Sequence, residues 1–135
     1  MKAIKIITHP TTLIICFLLI LISGEHLGGF YLLYILLGLP HGAIHSILAV
    51  IGVALLLFSN HRYQREFKYL TEPFLNIVGV ILLALSLFLF FFKDSHHYNY
   101  STFYQTMPQI SIGVFALLIV SFLVSNLIKL RHAMT

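Results

Sequence analysis

The chain has 135 residues, of which 59% are hydrophobic and only 9% are charged. A water-soluble domain has about 25% charged residues, and eight Lys and Arg with four Asp and Glu are too few to cover its surface. The composition therefore excludes a soluble globular protein. Membrane topology, rather than binding to nucleic acid, accounts for the formal net charge of +4.

Apolar segments follow one another along the chain at about 4–23, 30–58, 74–92 and 110–128. A helix needs about 20 mostly apolar residues to cross the ~30 Å hydrocarbon core of a bilayer. Each segment meets this length, and the short stretches between them leave no room for a second domain. We therefore predict a single all-α domain, a polytopic membrane protein folded as a four-helix transmembrane bundle.

The first segment begins with basic residues, Lys2 just before it and Lys5 within it, and its apolar run Leu13–Ile22 leads to Ser23, a pattern that resembles a signal peptide. We interpret it as the first membrane span. Pro10 is tolerated near its start because the N–H groups of a first helical turn have no helical partner. Its Cys16 is the only cysteine, so it cannot form an internal disulfide and indicates no redox compartment.

The second segment, 30–58, is longer than a bilayer requires. As a helix it would extend about 43 Å at 1.5 Å per residue. Tyr31 and Tyr34 near its start are typical of the aromatic belt at a membrane interface. Pro40 and Gly42 lie inside the segment, and we predict a long second helix kinked at Pro40.

The position of the first hairpin has two alternatives. The stretch 24–29 is rich in glycine and reads as a turn. A turn at 38–42 would instead place Glu25 and His26 deep in the membrane, where a charge costs at least ~2.5–3.5 kcal/mol. We prefer the earlier turn, and both alternatives give the same number of crossings.

Lys and Arg residues are distributed unevenly between the two sides of this topology. With the N-terminus inside, only Lys93 faces outward. The other seven face the cytoplasm: Lys2, Lys5, Arg62, Arg65, Lys68, Lys129 and Arg131. Positive residues in short loops favour the cytoplasmic side. The sequence therefore predicts a multi-pass protein of the plasma (inner) membrane with both termini cytoplasmic.

His41 and His45 are the most unusual residues of the apolar segments. At a spacing of four they would share one face of a helix. Ionisable residues at such depth usually face the bundle interior and are functional candidates. Two histidines at this spacing can bind one metal ion, so we predict a transition-metal or haem site or a proton relay. Further ligands could come from Glu25, His26, His96 and His97. Alternatively, neutral imidazoles hydrogen-bond between helices and stabilise the packing.

Gly38-Leu39-Pro40-His41-Gly42-Ala43 resembles the Gly-Leu-Pro-His-Gly-Ala motif of the Brp/Blh family of membrane β-carotene-cleaving dioxygenases. In that family the histidine of the motif is regarded as an iron ligand, so the resemblance implies this role for His41. The match covers six residues, and that family uses further histidines in its other spans. Here the segments 74–92 and 110–128 contain no histidine.

Small residues recur at a four-residue spacing that allows helices to approach closely: Gly38, Gly42 and Ser46, and then Ser121 and Ser125. Asn76 and Asn126 are further polar candidates for helix contacts. The sequence has no phosphate loop, no Ser-His-Asp set and no paired carboxylates. It therefore favours a non-enzymatic protein that acts through helix contacts in the bilayer, as a homo-oligomer or as a subunit of a membrane complex. The alternatives are a metal- or haem-binding protein, such as an oxidoreductase, and a channel or transporter.

Overall fold

The computed structural model describes residues 6–24, 28–63, 71–93 and 99–134. These residues are mostly helical. The helices are α1 (Pro10–Leu18), α2 (Tyr31–Gly38), α3 (Ile44–Tyr63), α4 (Thr71–Phe92) and α5 (Thr106–Met134). The strands β1 (Leu21–Ser23) and β2 (Gly28–Phe30) form a two-stranded antiparallel sheet. Short 3₁₀ helices cover Leu39–His41 and Tyr100–Tyr104.

Three of these helices are long and apolar enough to cross a membrane. The candidate spans are Ile44–His61, Thr71–Phe92 and Thr106–His132. Only 17–33% of each window is buried inside the protein, so most of the apolar surface of these helices faces outward. The mostly helical fold with three candidate membrane spans agrees with the predicted class at this level. The predicted segments 74–92 and 110–128 lie within α4 and α5.

The predicted first span, 4–23, is not one continuous helix in the part of it that the structure describes. α1 has nine residues, or about 13 Å, which is too short to cross a bilayer. His9 caps its start, because its Nδ1 accepts from the backbone N–H of Thr11 at 3.3 Å. After Leu18 the chain becomes the strand β1. β-branched residues such as Ile20 and Ile22 pack as well in a strand as in a helix, so hydropathy alone does not distinguish the two.

The strand is possible in apolar surroundings because its backbone groups have partners. Buried N–H and C=O groups must be hydrogen-bonded where water is absent. The outward-facing N–H groups of Leu21 and Ser23 donate to Ser111 Oγ and Thr102 Oγ1, both at 3.0 Å. Thr102 belongs to the 3₁₀ helix before α5, and Ser111 belongs to α5. These hydroxyl groups therefore accept the hydrogen bonds that a third strand would otherwise accept from β1.

The predicted second helix, 30–58, is broken rather than kinked. α2 ends at Gly38, and α3 begins only at Ile44. Between them Gly42 adopts a left-handed conformation, with φ of 64°, that few other residues tolerate. The N–H of Ala43 donates to the carbonyl of Gly38 at 3.0 Å, and the N–H of Gly42 donates to that of Leu39 at 3.1 Å. This pair of bonds is a Schellman motif, which ends a helix.

Helical structure is therefore interrupted at both of the stretches considered for the first hairpin. The stretch 24–29 joins two antiparallel strands, although 25–27 lie outside the described residues. The stretch 38–42 forms the break between α2 and α3. The two alternatives do not exclude each other, because the chain changes direction or conformation at both stretches.

α3 and α4 form the closest helix pair, and they cross at two glycines. A methyl group on Gly52 would lie 2.8 Å from Leu83 Cδ2 and 3.0 Å from the carbonyl oxygen of Gly79. A methyl group on Gly79 would lie 2.9 Å from Leu56 Cγ. The backbones of the two helices are therefore in near contact, as is common where small residues line a helix interface in a membrane. Gly52 and Gly79 were not among the small residues predicted to line a helix contact.

We predict that Gly52→Ala destabilises the protein although alanine is the better helix former. Overpacking of this kind typically costs about 1–3 kcal/mol, which exceeds the gain of up to about 1 kcal/mol in helix propensity. Gly113→Ala in α5 is the matched control, because no described atom lies within 4 Å of a methyl group placed there. Unfolding of the purified protein in mixed micelles with increasing SDS measures both. Equal stability of the two variants would contradict the crossing at Gly52.

Candidate functional site

His41 and His45 do not share one helix face. His41 ends the 3₁₀ helix, and His45 lies in the first turn of α3, with the left-handed Gly42 between them. His41 is exposed, and its Nδ1 is 2.9 Å from the carbonyl oxygen of Leu37. His45 is half-buried, and its Nε2 is buried without a hydrogen-bond partner among the described residues. The prediction that the two histidines share one helix face is wrong, because it required an unbroken helix.

The other predicted metal ligands are Glu25, His26, His96 and His97, and they lie outside the described residues. Within the described ranges, no group of three or more His, Cys, Asp or Glu side chains is close enough to hold a metal ion. His45 is instead surrounded by aromatic rings. The ring of Phe90 packs against it at a centroid distance of 5.2 Å, and that of Tyr31 lies at 6.4 Å.

The predicted small-residue stripe Gly38, Gly42 and Ser46 is divided between three structural roles. Gly38 ends α2, and a methyl group there would overlap Ser46 Oγ and lie 3.2 Å from His45 Nε2. Ser46 is fully buried, and its hydroxyl fills the space that a side chain at Gly38 would need. Gly42 faces open space among the described atoms and serves the turn. Gly38 and Ser46 thus meet across the break and not along one helix.

A chain of buried hydroxyl groups joins α2, α3 and α4 at this break. Ser86 Oγ donates to the carbonyl oxygen of His45 at 2.7 Å. A serine hydroxyl has a single proton, so the Tyr31 hydroxyl, 2.8 Å away, must be the donor to Ser86. Tyr31 and Ser86 are both fully buried. The prediction that Tyr31 lies in an interfacial aromatic belt is therefore wrong within this fold.

Aromatic rings enclose these hydroxyl groups. The ring of Tyr31 packs edge-on against Phe17 of α1 and Phe90 of α4, with centroids 5.2 Å and 5.1 Å apart. Edge-to-face contacts at such distances are favourable beyond the area that they bury. Tyr31 therefore connects α1 to the same cluster, so that four helices meet at one side chain.

A second buried polar contact lies near the opposite ends of the helices. Asn76 Nδ2 donates to Asn126 Oδ1 at 2.9 Å, and both residues are 2% exposed. Asn126 Nδ2 in turn donates to the carbonyl oxygen of Phe122 at 2.8 Å. These amides therefore join α4 to α5 and agree with the expected use of polar residues for helix contacts.

Ser121 is exposed and Ser125 is half-buried on α5. Ser125 Oγ donates to the carbonyl oxygen of Ser121 at 2.9 Å, so its hydroxyl group is satisfied by its own helix. The buried side chains of α5 include instead those of Phe115, Phe122 and Asn126.

Tyr31, Ser86, Gly52 and Gly79 are the residues that the sequence analysis missed in these roles. The signal for Ser86 was a single hydroxyl group in the otherwise apolar run 77–92. No protein-family model, curated protein or solved structure matches the chain.

We predict that Ser86→Ala is more destabilising than Tyr31→Phe. Ser86→Ala leaves the buried Tyr31 hydroxyl without its acceptor, which costs about 1–3 kcal/mol, whereas Tyr31→Phe removes a single bond worth about 0.5–1.5 kcal/mol. Because the two groups bond to each other, the double variant should lose less stability than the two single variants together.

Unfolding of the four proteins in SDS-containing micelles completes this double-mutant cycle. Ser125→Ala is the control, since its hydroxyl bonds only to its own helix among the described residues. Strictly additive losses for Tyr31→Phe and Ser86→Ala would show that the two hydroxyl groups do not interact.

Proposed function

We propose that this protein acts through contacts in the bilayer between its helices and those of a second membrane-spanning chain, as a homo-oligomer or as a subunit of a membrane complex. The observation that supports this proposal is the outward surface of α5. Gly113 and Ser121 are exposed there, and a methyl group on Gly113 would meet no described atom within 4 Å. Small residues on an outward face let another helix approach closely.

The use of small and polar residues inside the protein supports the same proposal by contrast. Gly52 and Gly79 form the contact between α3 and α4, and Asn76 and Asn126 join α4 to α5. Among the described residues, no side chain packs within 4 Å of a methyl group placed on Gly113 on the outside of α5. Leu117 and Val120, which are 70% and 59% exposed, lie between Gly113 and Ser121 in the chain and offer a facing helix apolar contacts beside the two small residues.

We predict that Gly113→Leu and Ser121→Leu weaken self-association, because a large side chain holds a facing helix at a distance. A loss of at least about tenfold, or ~1.4 kcal/mol, is expected for each. Ala84→Leu is the matched control, a change from a small to a large side chain on the exposed surface of α4. Energy transfer between labelled copies in liposomes measures the association.

A different partner would give a different result in the same variants. If the partner is another protein, the wild-type chain should cross-link to it in native membranes, and Gly113→Leu should abolish the cross-link. A wild-type protein that is monomeric in liposomes and has no cross-linked partner would disprove the proposal. A loss of association in Ala84→Leu as large as that in Gly113→Leu and Ser121→Leu would also disprove it.

We also propose that α1 and β1 together form a first crossing, so that the chain crosses the plasma (inner) membrane four times with both termini cytoplasmic. The nine residues of α1 and the three residues of β1 span about 23 Å in total, and Leu19 and Ile20 join them. Thr8, His9 and Pro10 lie beside Glu72 and Lys129. Ser23 lies at the other end of the helices, beside Thr102. The seven-to-one distribution of Lys and Arg favours the cytoplasm for the first of these ends.

Cysteine labelling tests this topology in a Cys16→Ser background. We predict that Tyr104→Cys, at a position that is 85% exposed, reacts with a membrane-impermeant maleimide in intact cells. His9→Cys and His61→Cys, at exposed positions, should react only after permeabilisation. Labelling of His9→Cys but not of His61→Cys in intact cells would show that α1 and β1 do not form a crossing.

A further inference from the structure

A polar cleft lies at the end of the helices remote from His45. Its volume is about 400 Å³, which is within the range of about 300–1,000 Å³ typical of ligand sites. The ends of α1, α3, α4 and α5 surround it. The lining residues are Thr8, His9, Pro10, Ser59, Asn60, Glu72 and Lys129.

The cleft contains one carboxylate and one ammonium group. Lys129 Nζ lies 3.3 Å from Glu72 Oε1, and their side chains are 54% and 21% exposed. Ion pairs as exposed as this contribute little to stability. Little stability is therefore lost when this contact opens to admit a phosphate beside Lys129 and a cation beside Glu72.

His9 adds a hydrogen-bond donor whose position is fixed by the fold. Its Nδ1 accepts from the backbone N–H of Thr11 as the cap of α1. A neutral imidazole that accepts at one nitrogen carries its proton on the other, so Nε2 is a donor. The amide group of Asn60 is a further donor in the lining. Lys129 is thus accompanied by two hydrogen-bond donors for an anion, and Glu72 is the acidic residue among the described residues of the lining.

Several exposed side chains that adjoin the lining residues in the chain are apolar. Leu127 and Ile128 precede Lys129 and are each 53% exposed, and Ile6 and Ile7 near the start of α1 are 63% and 42% exposed. A ligand that combines a polar head with hydrocarbon chains could place both parts here. The apolar surroundings therefore favour a lipid over a free solute.

We propose that the cleft binds a phosphoethanolamine group, a phosphate with a primary ammonium two carbons away, as the headgroup of a membrane phospholipid. The phosphate accepts from Lys129 Nζ and His9 Nε2, and the ammonium donates to the Glu72 carboxylate. A choline headgroup carries the same phosphate, but its quaternary ammonium has no N–H to donate. A glycerol headgroup has no cation for Glu72 to bind.

Native mass spectrometry of the detergent-purified full chain tests this inference. The probes are phosphatidylethanolamine, phosphatidylcholine and phosphatidylglycerol with identical acyl chains, and soluble phosphoethanolamine. We expect phosphatidylethanolamine to bind about tenfold more tightly than either other lipid, in line with one charge-assisted hydrogen-bonded contact. Binding of the soluble compound with equal affinity would support the same chemistry with a free solute as its source. Equal binding of the three lipids would overturn the inference.

Three variants assign the contacts. Glu72→Gln should remove the preference for ethanolamine over choline and leave the phosphate contacts in place. Lys129→Gln should weaken the binding of all three lipids. Arg131→Gln is the matched control, because it removes one positive charge from the same end of α5 but does not line the cleft. An ethanolamine preference that persists in Glu72→Gln, or an effect of Arg131→Gln equal to that of Lys129→Gln, would overturn the assignment.

Discussion

The hydrogen-bond chain from the Tyr31 hydroxyl through Ser86 to the carbonyl of His45 is the interaction on which the fold depends most. α2 has only eight residues, too few to be stable as an isolated helix. Tyr31 at its start fixes it against α4, and the carbonyl of His45 fixes the start of α3 at the same point. The break between α2 and α3 is therefore held from both sides by one hydroxyl group of α4.

The same constraint governs the first part of the chain. Backbone groups without helical partners must find others where water is absent. The N–H of Tyr31 donates to the carbonyl of Ile20 at 2.8 Å, which links the hairpin to the residue that anchors α2. Thr102 and Ser111 satisfy the outer edge of β1. The irregular first part of the chain and the start of α5 therefore stabilise each other, and neither hydroxyl group is an incidental surface feature.

The two last apolar segments could be predicted because each is long, continuous and free of formal charge. Even so, α4 begins at Thr71 and α5 continues to Met134, beyond the predicted limits. Hydropathy locates the hydrocarbon core, whereas a helix ends where its backbone hydrogen bonds end. The helix of the third segment therefore begins with a polar turn before the predicted limit, and this turn contains Glu72, the acidic residue of the cleft.

The first two segments could not be predicted correctly, because their structure depends on distant residues. The partners of Leu21 and Ser23 lie 90 and 79 positions away in the chain. The apolar run 19–22 carries no local sign of a strand. Pro40 and Gly42 did signal an interruption, but a helix was still assumed when His41 and His45 were placed on one face. The left-handed Gly42 removes the basis of that inference.

α5 connects the two proposals in a way that determines how they can be separated. Ser121, Ser125 and Lys129 recur every four residues and so follow one side of the helix. A second chain packed along Ser121 and Ser125 would reach the cleft at Lys129, and a lipid bound there would lie at the edge of that contact. A variant at Ser125 could therefore affect both. Gly113 lies 16 residues before Lys129, about 24 Å along the helix. A change at Gly113 therefore affects the helix contact alone, and a change at Glu72 affects the cleft alone.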